Sequence, residues 1–255
     1  MSMNKIKTKV ENGVAILSID RPEALNALSR EIVDEIDQFI SDLGDDVRVL
    51  LVYSEKNFAA GADIKGMVNC GEAEAREFSF SPTYNKLAAL NIPTIAAIDG
   101  YALGGGLELA LACDLRFASE RAKMGFPEIS LGIMPGAGGT IRAARCIGIS
   151  AAMEMIFSGN SIDAQQAAQL GLVNRVVPSD ALFTETLAFA EKLARRAPIA
   201  LQTAKQTILA GSMIPRIDDA IALESENWAR LFATTDQKEG MNAFLEKRKP
   251  YFKGC

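Results

Sequence analysis

TIAAIDGYALGGGLELALACDLRFAS, residues 94–119, is the stretch whose reading decides the fold. Residues 94–98 are short and apolar, the pattern of a strand buried in a sheet. Gly104, Gly105 and Gly106 then open a helix over residues 107–113, and residues 114–119 return as a strand. The same order holds upstream. Residues 14–20 (VAILSID) and 47–53 (VRVLLVY) are short β-branched runs, and between them Ile32, Val33, Ile36, Phe39, Ile40 and Leu43 recur at helical spacing. Ser29 is placed to cap that helix and Gly44 to end it.

Downstream, Asp163 caps a short helix through Leu170, Gly171 stops it, and LVNRVV follows as a strand before Pro178. From Ala181 the pattern is helical nearly to the end, broken at Pro198 and Pro215. The fold class is therefore α/β, with an α/β core over residues 1–196 that carries the site and a helical region over residues 197–255. No low-complexity linker separates them, so the helical region is expected to dock on the core or on a neighbouring subunit.

Composition removes many chemistries. The chain of 255 residues contains no histidine, which excludes Ser-His-Asp and Cys-His nucleophiles, HExxH metalloproteases and histidine-ligated metals. Proton transfer near neutral pH then falls to tuned carboxylates, lysine, tyrosine or cysteine. Cys70, Cys113, Cys146 and Cys255 lie far apart with no CxxC pattern and read as reduced, structural thiols. Lys and Arg number 27 against 32 Asp and Glu, a net charge of −5, so the overall field recruits neither nucleic acid nor anionic lipid. The N-terminal MSMNKIKTKVENG has no signal-peptide core and no apolar run elsewhere reaches the length of about 18 residues that suggests a membrane span, so a soluble cytoplasmic protein is expected.

Two carboxylates stand out against this background. Glu108 follows the glycine triplet inside an apolar helix, and Glu128 sits in GFPEISLGIMPGAGGT between Pro127 and Ile129. A carboxylate in apolar surroundings persists when it is partnered or when its shifted acidity is used. The expected division is a base at Glu108, held ionised by its helix N-terminus, and an acid at Glu128, kept partly protonated by burial. Each taken alone has a plainer alternative, a helix N-terminal charge for Glu108 and a surface turn for Glu128.

NFAAGADIK, residues 57–65, and the glycine triplet are two small-residue loops whose peptide N–H groups are open to close approach. Two such N–H groups aimed at one oxygen would form an oxyanion hole, suited to a thioester carbonyl becoming an enolate. In PGAGGT, residues 135–140, Gly136 either donates to a substrate or water or serves as helix capping. Asp63 and Lys65 either orient the AGAD turn or meet phosphate, Lys65 being equally readable as a surface charge.

NFAAGADIK, PTIAAIDGYALGGGLELALACD and GFPEISLGIMPGAGGT resemble successive signatures of the enoyl-CoA hydratase (crotonase) family, with RPEALNAL, GLVNRVVP and DQKEGMNAFLEKRKPYFK extending the likeness over nearly the whole chain. The resemblance implies a spiral of repeated ββα units followed by a C-terminal helical region that builds homotrimers, commonly paired into homohexamers. It places the oxyanion donors at the backbone amides of Ala62 and Gly105. The hydratase glutamates match Glu108 and Glu128, which in such enzymes hold one water for syn addition across the 2,3 double bond of an enoyl-CoA. It further implies that Ala62, Asp63, Ile64 and Lys65 border coenzyme A, that Gly136 lies near the water, and that Phe244 and Lys247 reach coenzyme A across a subunit boundary. No metal or redox cofactor is implied, coenzyme A being part of the acyl-CoA substrate, and no nucleic acid or membrane partner. Gly66 and Met67 stand where many relatives carry an acidic residue and then methionine. A Δ3,Δ2-enoyl-CoA isomerase, another acyl-CoA lyase, or a non-catalytic acyl-CoA or RNA-binding relative are the alternatives, and the presence of both glutamates favours hydration.

Overall fold

The computed structural model describes residues 5–255; the first four residues, part of the N-terminal stretch read as lacking a signal-peptide core, lie outside the described residues. The chain opens with β1 (Ile6–Glu11), β2 (Val14–Ile19), α1 (Arg30–Ser41) and β3 (Val49–Tyr53). It continues through α2 (Glu72–Phe78), α3 (Ser81–Ala88), β4 (Thr94–Ile98), β5 (Tyr101–Leu103), α4 (Gly105–Ala112), β6 (Leu115–Ser119) and β7 (Lys123–Gly125). Next come α5 (Gly139–Ile147), α6 (Ile149–Ser158), β8 (Ser161–Asp163), α7 (Ala164–Gln169) and β9 (Arg175–Val177). Helices α8 (Leu182–Ala194), α9 (Pro198–Gly211), α10 (Ile217–Leu231) and α11 (Thr235–Leu245) follow.

The strands form a six-stranded sheet in the order β1-β2-β3-β4-β6-β9 and a three-stranded sheet β5-β7-β8. Only the β1–β2 pair of the larger sheet is antiparallel. Successive turns of chain lay one strand in the larger sheet, a shorter extended segment in the smaller layer, and then helix: β4, β5, α4, then β6, β7, α5. The earlier turns reach the smaller layer through isolated bridges, Leu28 to Ala62 and Ala59 to Ala102. This is the spiral of ββα units.

Both faces of the larger sheet are covered, which explains why its strands read as continuous apolar runs. Leu50, Val52, Ala96 and Ile98 turn towards the main core with α1, α3 and α4. Val49, Leu51, Ile95 and Ala97 turn the other way, against Leu182, Ala190 and Ala194 of α8. Ser29 caps α1 through the Ile32 N–H at 3.3 Å. Pro198 opens α9, where its missing N–H costs nothing.

Several elements differ from the sequence pattern. Helix α4 starts at Gly105 because the glycines supply its first turn. LVNRVV is strand only over Arg175–Val177, since the N–H groups of Leu172 and Val173 return to Ala167 O and Asn174 bonds Arg116. β1, whose residues after Ile6 are exposed, carries alternating lysines and no apolar run. The helical region is pinned to the core where Lys205 Nζ meets Asp114 Oδ2 at 2.8 Å and Ile92 O at 3.0 Å.

Candidate active site

Glu108 lies in α4, all eight residues of which are buried, and is 3 % exposed. Its Oε1 accepts the N–H groups of Ala137 and Gly139, each at 2.7 Å. Burial pushes this carboxyl above its ordinary value, and those two donors and Arg142 oppose the rise. From the sequence, stabilisation of the carboxylate is expected from the N-terminus of its own helix. The donors belong instead to the loop that opens α5, and the net displacement is upward because desolvation is the largest influence.

Glu128 sits in the first turn of a 3-10 helix, Pro127–Leu131, rather than in a simple surface turn. Burial first, and then the charge of Glu108, raise its carboxyl to about 7. Among the described residues its Oε2 is buried without a hydrogen-bond partner. Gly104, at φ 48°, passes so close that a β-carbon there would stand 2.6 Å from Glu128 Oε1. The glycine is thus required twice, for its backbone and for the space beside the carboxyl.

Two peptide groups lie beside these acids. In the parallel bridge to Leu28, the Leu28 N–H bonds Gly61 O and the Asp63 N–H bonds Leu28 O, both at 2.8 Å. The neighbours of Ala62 satisfy the bridge, so the Ala62 N–H faces the opposite side, where none of the described residues accepts it. Gly105, first residue of α4, has no partner for its N–H within the helix. A β-carbon on Gly105 would lie 3.6 Å from Ala62 N, which measures how closely the two loops approach.

A cavity of about 390 Å³ collects Ala62, Ile64, Gly105, Glu108, Glu128 and Gly136 on its walls. Its remaining lining is largely apolar, with Met67, Phe78, Phe80, Leu131, Ile133 and Met134. Asp63, Lys65, Phe244 and Lys247 do not line it. Asp63 accepts from Arg21 Nη1 at 2.8 Å and from the Lys65 N–H at 3.1 Å, and Arg21 holds its carboxyl below the ordinary value. It therefore orients the AGAD turn. Lys65 is exposed beside it, and Phe244 is 82 % exposed on α11.

The family model for enoyl-CoA hydratase/isomerase matches residues 9–255. The chain belongs to that family. Among its relatives is a short-chain-enoyl-CoA hydratase of Clostridium acetobutylicum, 42 % identical over 98 % of this chain and 97 % of the other. A 2,3-dehydroadipyl-CoA hydratase of Escherichia coli is 43 % identical over 99 % of this chain and 100 % of its own. A crystal structure of an enoyl-CoA hydratase from Bacillus anthracis superposes with a TM-score of 0.94 at 38 % identity, covering 98 % of this chain and 100 % of that one.

Within this hydratase/isomerase frame, several supporting residues escaped the sequence reading. The buried Tyr84 hydroxyl donates to Gly105 O at 3.0 Å and fixes the peptide at the start of α4. Ser81 Oγ donates to Gly136 O at 2.9 Å, and Arg142 Nη1 to Ala137 O at 3.0 Å. Their spacing relative to the glycine loops carries no sequence signal, because contact arises only when α3 and α5 pack against α4.

Proposed function

We propose that this protein hydrates trans-2-enoyl-CoA thioesters to 3-hydroxyacyl-CoA, with no resident metal or redox cofactor. The observation that carries the proposal is the convergence on one cavity of two carboxyls and two peptide N–H groups that no described residue accepts. Ala62 N–H and Gly105 N–H would bind the thioester oxygen, each donor worth roughly 3 to 4 kcal/mol as negative charge gathers there. A water held between Glu108 and Glu128 attacks C3 and gives its proton to Glu108, while the C2–C3 π pair moves into the enolate. C2 then takes a proton from Glu128 as the carbonyl reforms. Glu128, raised to about 7, can supply that proton near neutral pH, and at Glu108 two N–H groups favour the ionised form that can take the water's proton.

The substrate is proposed to carry a short or medium uncharged acyl chain. Apart from the glutamates, no charged side chain among the described residues lines the cavity, so a carboxylate at the far end of the acyl group would be desolvated without a partner. On this reading a chain ending in a carboxylate, such as the 2,3-dehydroadipyl group, is a poorer substrate than an uncharged one. Asp63, Ile64 and Lys65 would border coenzyme A, and Gly136 the water. Residues 197–255 would build the trimer, or a hexamer of paired trimers, bringing Phe244 and Lys247 to a neighbour's coenzyme A. Among the described residues no helix is long and apolar enough to cross a membrane.

Loss of the enone absorbance of crotonyl-CoA, with 3-hydroxybutyryl-CoA identified by chromatography, tests the reaction and separates it from double-bond isomerisation. In the Glu108→Gln, Glu128→Gln double variant hydration should vanish; wild-type turnover in that variant would overturn the proposal. Crotonyl-CoA should exceed 2,3-dehydroadipyl-CoA in kcat/KM by on the order of 100-fold, the cost of a charge left poorly solvated.

A further inference from the structure

Arg142 closes the first turn of α5, where its N–H bonds Gly138 O at 2.8 Å. A cation there opposes the helix dipole. The guanidinium is half-buried and, among the described residues, forms no ion pair; its bonds go to two neutral acceptors, Ala137 O at 3.0 Å and Asn85 Oδ1 at 2.7 Å. Gly138, at φ 104° and without a β-carbon, leaves the space into which it folds back. A neutral amide could donate to both acceptors, so loop-clamping accounts for the hydrogen bonds and leaves the charge unexplained. Ala137, whose carbonyl accepts from the guanidinium, also donates its N–H to Glu108 Oε1 at 2.7 Å, so the two side chains meet on one residue and Glu108 is the carboxylate that acts on this charge.

We propose that Arg142 is a positioning residue for Glu108: it fixes the 137–139 loop whose N–H groups hold the carboxylate, and its charge favours the ionised form against burial. The catalytic consequence rests on the hydration proposed above; the electrostatic one does not. Among the described residues, the other titratable groups facing Glu108 are Glu128, from the 3-10 turn, and Tyr84, from α3. Neither supplies positive charge at neutral pH, which leaves Arg142 as the cation for this carboxylate.

The test compares wild type with Arg142→Gln, Arg142→Lys and Asn85→Asp. The last places an exposed carboxylate against the guanidinium and cancels its field while leaving the arginine in place. Two readouts are taken: the pH profile of kcat/KM with crotonyl-CoA, and infrared titration of the Glu108 carboxyl band, identified by its loss in Glu108→Gln. Losing the cation raises the Glu108 titration, so the acid limb and the band should move up by about half a unit or more in the Gln and Asp variants and little in Lys. Unchanged titration in folded Arg142→Gln, or in Asn85→Asp should the Gln variant not fold, overturns the assignment. Wild type inert towards crotonyl-CoA would defeat the hydration proposal instead, and the infrared titration would still decide the role of Arg142.

Discussion

At the residue scale, the site concentrates its cost in Glu128. Burial lifts its carboxyl from 4.5 to about 7, so the protonated form favours the native state. That contribution is full below pH 4.5 and is lost as pH rises through 7. Glu128→Gln keeps the shape and removes the charge. At pH 8 the variant should be more stable than wild type by on the order of 1 to 3 kcal/mol, allowing for partial exposure, and thermal melts should show the gap closing towards pH 5. Activity should fall in the same variant. Glu108 and Glu128 were legible in the sequence because carboxylates among glycine and apolar residues are anomalous. Arg142 was not, since an arginine early in an amphipathic helix is ordinary until Gly138 is seen to let it turn back.

The strands and helices that build the site differ in how plainly they were written. α4 and β4 announced themselves by apolar runs and a glycine triplet, because both are buried on every side. The three-residue strands β5, β7 and β8 are too short for any period to register. Instead they are set by bridges and ladders between successive turns of the spiral. Gly106 shows how tightly those turns stack: a β-carbon there would overlap the Ala59 carbonyl. Gly106→Ala should therefore part α4 from the Ala59 bridge and cost about 2 to 4 kcal/mol, read as a lowered Tm with reduced hydration of crotonyl-CoA.

For the whole molecule, the helical region leaves a conspicuous apolar surface, with Ile208, Ile217, Ile221 and Trp228 exposed on α9 and α10. Surfaces of this kind mark association. Sedimentation of the wild type should give three or six chains per particle. Ile217→Lys with Ile221→Lys should release smaller species, and a KM raised roughly 10-fold would follow if Phe244 and Lys247 serve a neighbouring subunit.

β1 lies at one margin of the six-stranded sheet, and its unpaired side is open to solvent among the described residues. Lys7 and Lys9, ion-paired with Asp20 and Glu11, stand along that margin. A second chain approaching to extend the ladder would meet charge there, so the lysines act as a guard against fibre-like growth. Replacing both with valine should leave native circular dichroism intact while light scattering rises on concentration, a colloidal failure in a molecule that is still correctly folded.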